Sequence, residues 1–317
     1  MNKTTITKIF LSVVMLLFLI DCQNHIEREG YINVDGGRIS YKIVGDGDGL
    51  PLLFIHGGPG SRSCTSIPGY SLMSNDRPLI FYDQLGSGNS DNPGDSTLWK
   101  LDRFVEEINY IRNDLNLKEL HILGHSWGAA VLIEYLLTKD PKGVKSVIFS
   151  SPYLGSKIWM EDAKILLKQL PQNLQDTIQK YELNKQYNAA PYLAAEDSFY
   201  SRFLSRKSWP RISPIECENI PPFNTDIYFY MWGPTEFNVI GTLKNFDRTQ
   251  ELQRLDYPTL FIIGEFDEVR VETINKFQKL TKNSSVAIIE DSGHLTMYDQ
   301  PARVTTVIRE FLESIEN

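Results

Sequence analysis

The stretch that most constrains this chain is Gly124-His125-Ser126-Trp127-Gly128, because it stands between two segments of opposite character. Leu120-His121-Ile122-Leu123 before it suits a buried strand, and the run from Ala129 to Leu137 after it suits a helix. A serine on so tight a strand-to-helix turn needs small residues two before and two after it. These let the backbone bend sharply and hold the serine in a strained conformation, its Oγ presented above a sheet. The pattern predicts a nucleophile turn in a fold where strands are followed by helices.

The remainder of the chain reads the same way. Tyr31-Ile32-Asn33-Val34 and Arg38 to Val44 flank the turn Asp35-Gly36-Gly37 and predict an edge hairpin. Continuous apolar runs, the mark of strands covered on both faces, follow at Pro51 to Ile55, Leu79 to Tyr82, Val144 to Ser150, Pro258 to Ile263 and Ser285 to Ile289. Helical spacing occupies 101–115, and a closing helix is expected over 301–315. Loops rich in glycine or charge come after the strands, which indicates a mostly parallel α/β sheet. From about Tyr153 to Gly241 the strand runs vanish and amphipathic stretches at 163–170 and 174–181 replace them, so an inserted helical cap is expected. The expected division is an export segment over 1–21, a linker over 22–29, hydrolase core over 30–152, cap over 153–241 and core again over 242–317.

Composition narrows the function classes. With 317 residues, 42% of them hydrophobic, the chain can bury a sizeable core. A net charge of -8 and the lack of any basic run argue against a nucleic-acid partner, which needs a cationic face for phosphates. The first residues are of another kind: Lys3 and Lys8 precede an apolar run from Ile9 to Ile20, too short to span a membrane, so an export signal is expected. Leu19-Ile20-Asp21-Cys22 resembles a bacterial lipoprotein signal, with Cys22 as the lipidated residue, although Asp21 departs from the small uncharged residue preferred there; cleaved soluble export and an uncleaved anchor are the alternatives. The expected location is therefore the bacterial cell envelope, with membrane contact only through that anchor. Cys64 and Cys217 are expected as free thiols, with pairing as the alternative.

A serine hydroxyl is a weak nucleophile at neutral pH; it needs an imidazole to take its proton and a carboxylate to orient that imidazole. Ser126, Asp267 and His294 occur in the chain order serine, acid, histidine of the α/β-hydrolases, and the last two lie just past the ends of expected strands. Glu265 and Glu268 compete with Asp267 for the acid's role. Of the other histidines, His56 is expected to tie neighbouring loops together, as are Asp83 and Gly86. His121 falls inside a strand, and His125 is expected to point away from Ser126. The backbone amides of Gly58 and Trp127 are the candidate oxyanion donors, glycine being suited to the first because nothing may intrude before the substrate carbonyl.

His56-Gly57-Gly58-Pro59-Gly60, Tyr82-Asp83-Gln84, the Ser126 pentapeptide, Gly264 to Glu268, His294 to Met297 and Met231-Trp232-Gly233-Pro234-Thr235-Glu236-Phe237 together resemble the proline iminopeptidases of the α/β-hydrolase fold. The closest likeness is to the tricorn-interacting aminopeptidase branch. The resemblance implies release of an N-terminal residue, preferably proline, from short peptides with a free N-terminus. It also implies that Glu236 and Glu268 bind the substrate amine, and it implies no metal or organic cofactor. An esterase or lactonase would keep the triad but has no use for those glutamates. A catalytically silent binding protein has no use for an intact triad.

Overall fold

The computed structural model describes residues 27–207 and 214–316. The expected export segment and Cys22 lie outside these residues. The strands are β1 (Glu27–Val34), β2 (Gly37–Val44), β3 (Leu52–Ile55), β4 (Leu79–Tyr82), β5 (Leu120–His125), β6 (Val144–Ser150), β7 (Thr259–Gly264) and β8 (Ser284–Ile289). They form one sheet in the order β1-β2-β4-β3-β5-β6-β7-β8. β1 pairs antiparallel with β2, from Glu27 opposite Val44 to Val34 opposite Gly37, and β2 pairs antiparallel with β4. Every pairing from β4 onward is parallel.

The helices are α1 (Ile67–Tyr70), α2 (Leu101–Asp114), α3 (Trp127–Lys139), α4 (Ser156–Leu167), α5 (Gln172–Leu183), α6 (Ala190–Phe203), α7 (Thr225–Met231), α8 (Val271–Leu280), α9 (Thr296–Asp299) and α10 (Pro301–Glu316). Residues alternate between the two faces of the sheet. Leu53, Ile55, Ile122, Phe149 and Phe261 pack with α2, α3 and α8, whereas Leu52, Phe54, Leu123, Ile148 and Ile262 pack with α1 and α10. Burial on both faces is why these strands read as unbroken apolar runs. Each fully buried aliphatic or aromatic side chain contributes about 1.5–3 kcal/mol, and truncating Phe261 to alanine would cost about 3–5 kcal/mol.

The helices inserted between β6 and β7 have an apolar cluster of their own, built from Ala163, Leu166, Ile178, Tyr192, Phe199, Phe203 and Phe237. α4 begins at Ser156, well before the expected 163, and α5 at Gln172, close to the expected 174, and α6 follows as a third long helix. The return segment is tied to the core: Asn224 donates from its backbone to Gly60 O at 2.8 Å and from its side chain to Gly86 O at 2.7 Å. Its Oδ1 meanwhile caps α7 by accepting from the Asp226 and Ile227 amides.

Cys64 and Cys217 are not free thiols. They form a disulfide across 153 positions, with Cα atoms 5.3 Å apart. Sequence spacing carries no sign of this because the turn after β3 and the segment before α7 meet only through tertiary folding. Among the described residues no helix is long and apolar enough to cross a membrane.

Candidate active site

Ser126 joins β5 to α3 as the residue just before the helix, with φ 53° and ψ -120°, a region in which an L-residue is strained. Packing enforces the turn. A Cβ added to Gly128 would stand 2.2 Å from Ile55 O, so the turn closes directly on the end of β3. The Ser126 amide donates to Ser150 O at 2.9 Å, fixing the turn to β6 as well.

Asp267 follows β7 and His294 follows β8, both at the carboxyl end of the sheet. His294 Nδ1 lies 2.8 Å from Asp267 Oδ1. The same carboxylate accepts from the amides of Val269 at 3.2 Å and Gly264 at 3.1 Å. With its proton held on Nδ1, a neutral imidazole carries its lone pair on Nε2, the nitrogen left for the cavity that His294 and Ser126 both line. Glu265 turns elsewhere and accepts from the Asp291 amide at 3.1 Å.

His125 stands beside the catalytic histidine. Its ring lies 5.0 Å from that of His294, centroid to centroid, and it lines the same cavity. The reason is strand alternation: His125 shares the face of Leu123, two residues earlier, at the end of β5 where the site opens. The ring of Trp159 from α4 meets His294 edge-on at 5.6 Å.

Gly58, on the loop after β3, and Trp127, the first residue of α3, are linked through Gln84. His56 Nδ1 bonds to Gly57 O at 2.8 Å, and its Nε2 accepts from the Gln84 amide at 3.0 Å. Burial pushes the His56 pKa down, in keeping with this neutral tautomer. Gln84 Oε1 in turn accepts from Trp127 Nε1 at 2.9 Å. Gly58 has φ +115°, and a Cβ there would lie 2.7 Å from Gly60 N, so no other residue fits. Trp127 is the first residue of α3, where an amide has no acceptor within its own helix. Asp83 braces the neighbouring loops by accepting from the amides of Ser63 at 2.7 Å and Asn89 at 2.8 Å.

The cavity has a volume of about 470 Å³, and Glu196, Glu236 and Glu268 are among the residues that line it. Glu236 Oε2 accepts from Tyr228 Oη at 2.5 Å. Glu268 is buried, and neither of its carboxylate oxygens has a hydrogen-bond partner. Burial raises the pKa of both; the Tyr228 bond opposes the rise at Glu236, whereas the charges of Glu236, Asp267 and Glu196 push Glu268 further up. Glu196 is pushed up to about 7, chiefly by burial and then by Glu236. A buried carboxylate gains most from a charged donor.

Sequence reasoning did not single out Glu196, Tyr228 or Trp159. Tyr192, Glu196 and Tyr200 recur at intervals of four on α6, a polar stripe visible in the sequence, but nothing local says that it faces a cavity. Among the described residues no cluster of histidine, cysteine or carboxylate side chains could hold a metal ion.

Residues 51–301 match the model of the alpha/beta hydrolase fold family. The chain is 46% identical over 292 residues to a proline iminopeptidase of Heyndrickxia coagulans, covering 90% of this chain and 99% of that one. It is 33% identical to a proline iminopeptidase of Saccharolobus solfataricus, covering 90% of this chain and 93% of that one. The crystal structure of the Mycobacterium smegmatis proline iminopeptidase superposes with a TM-score of 0.81 at 26% identity, over 90% of this chain and 98% of that one. With the strained serine, the histidine–carboxylate pair and these glutamates in one cavity, the chain belongs to the proline iminopeptidase family of α/β-hydrolases.

Proposed function

We propose that this serine aminopeptidase removes a single N-terminal residue, preferably proline, from short peptides, and that it does so from the bacterial cell envelope. The observation that carries the substrate reading is Glu268, a buried carboxylate with both oxygens unpartnered in the cavity that Ser126 and His294 also line. An unpaired buried carboxylate is costly, and a substrate ammonium supplies the missing donors. Glu236 and Glu268 hold that ammonium. Ser126 attacks the adjacent carbonyl as His294 takes its proton, and Asp267 keeps the imidazole in the correct tautomer. The Gly58 and Trp127 amides receive the developing oxyanion. His294 then protonates the departing amine, and water repeats the sequence to free the acyl group. The finer placement in the tricorn-interacting branch rests on the motif around Glu236.

Two observations support the envelope reading: the lipoprotein-like run ending at Cys22, and the Cys64–Cys217 disulfide, a bond that persists in oxidising compartments. The substrate reading is tested with a panel of aminoacyl, N-acetyl-aminoacyl and acyl-ester chromogenic substrates. Free-amine prolyl substrates should lead. A panel in which simple esters lead and the free amine makes no difference would replace the peptidase with an esterase.

A further inference from the structure

Ser151 directly follows β6, has no exposed surface, and takes φ +46°, a backbone region unfavourable for any residue with a side chain. Its amide donates to Ile262 O on β7 at 2.7 Å. Its hydroxyl stands 2.6 Å from Asp267 Oδ2 and 2.8 Å from His294 O. One side chain from a third strand end thus touches the acid of the catalytic pair and the backbone of its base.

We propose that Ser151 is a positioning residue of the catalytic unit, a role that rests on the assignment of Ser126, Asp267 and His294 given above. A hydroxyl has one proton to give. Here it is shared between two acceptors, with the carboxylate the stronger. Donation to Oδ2 fixes the rotation of the Asp267 carboxylate, so that Oδ1 stays on Nδ1 of His294. It also draws off part of the carboxylate's charge, which moderates how strongly Asp267 holds the imidazolium that forms during attack. The second contact ties the backbone of the base to the same hydroxyl, so neither member of the pair can swing without breaking a bond to Ser151. The charged and titratable groups around His294 are Asp267, Glu268, Glu236 and His125. Ser151 is neutral, and deleting its hydroxyl alters the pair without altering those charges.

The test uses Ser151→Ala and Ser151→Gly in the full chain. Both remove the hydroxyl, but only glycine also relieves the positive φ, so an effect of the hydroxyl is common to both variants and an effect of backbone strain is not. Titration of Ser126 with an uncharged phosphonate counts competent sites and corrects for any loss of folded protein. Per competent site, both variants should lose about tenfold in kcat on a free-amine prolyl substrate, with KM within about twofold of the wild type. The acidic limb of the phosphonate labelling rate should move to higher pH by about half a unit, because Asp267 with one donor fewer holds a proton on His294 more strongly. Wild-type kcat with an unmoved limb would overturn the proposal, as would a loss confined to Ser151→Ala. Ser126→Ala run alongside separates the failures: activity surviving there sinks the underlying assignment, whereas its loss beside an unaltered Ser151→Ala sinks only the role of Ser151.

Discussion

Asp267 and Glu268 are adjacent in the chain and both approach Nδ1 of His294, at 2.8 Å and 3.7 Å, yet their surroundings are opposite. Asp267 accepts hydrogen bonds from His294, Ser151 and the amides of Gly264 and Val269, whereas both oxygens of Glu268 have none. A carboxylate with all these donors is held in one orientation and orients its partner in turn. Burial, together with the charges of Glu236, Asp267 and Glu196, pushes the Glu268 carboxyl well above the ordinary carboxylate range.

Glu268→Gln and Glu236→Gln should each lower kcat/KM for free-amine prolyl substrates by about 2–4 kcal/mol, roughly 30- to 1000-fold. Simple acyl esters should be cleaved almost as before, and the wild type should reject N-acetylated prolyl substrates. Equal damage to both substrate classes would make the glutamates supports of the triad.

Ser126→Ala should abolish turnover and phosphonate labelling while the melting curve stays close to that of the wild type. Losses in such a unit reach about a millionfold. More than a small residual percentage of activity, in protein free of contaminating peptidase, contradicts the assignment of the nucleophile.

The raised pKa of Glu196 makes stability depend on pH. Its folded value is about 7 against the ordinary 4.5, so between those values the folded chain binds more protons than the unfolded one. The contribution is fully present below about pH 4.5 and is lost as pH rises through 7. Tm should therefore fall between pH 5 and pH 8, and Glu196→Gln should remove part of that fall, raising Tm at pH 8 by about 2 °C. A variant whose Tm runs parallel to the wild type across the range would show that this carboxyl is not perturbed.

Replacing both Cys64 and Cys217 by serine should cost about 3–5 kcal/mol, a drop in Tm of about 5 to 10 °C. Reducing the wild type should bring its Tm to that of the double variant. An unchanged Tm in both experiments would mean that the thiols do not pair in solution.

Anchoring is tested by detergent partitioning. Wild-type protein should enter the detergent phase, and Cys22→Ser should move it to the aqueous phase or stall its processing, since several acyl chains on one terminus hold far more firmly than one. A mature N-terminus at another residue, read by mass spectrometry, would rule out lipidation.

The sheet was legible because each strand buried on both faces leaves an unbroken apolar run, and the loops after those runs carry Gly58, Ser126 and Asp267, while His294 follows the partly exposed edge strand β8. Such placement is local information. Ser151 was not legible: its partner Asp267 is 116 positions away, and a serine at the end of a strand looks like any other. Glu196 lies on a visible stripe of α6, but only packing decides whether a stripe meets solvent or a cavity.

The disulfide closes the chain into a covalent ring that runs from Cys64 to Cys217, with Ser126 inside it and Asp267 and His294 on the tail beyond. A single cut anywhere within that ring, including the exposed connections between α4, α5 and α6, leaves both fragments joined. The nucleophile is thus kept on the same molecule as its acid and base even after the chain is nicked.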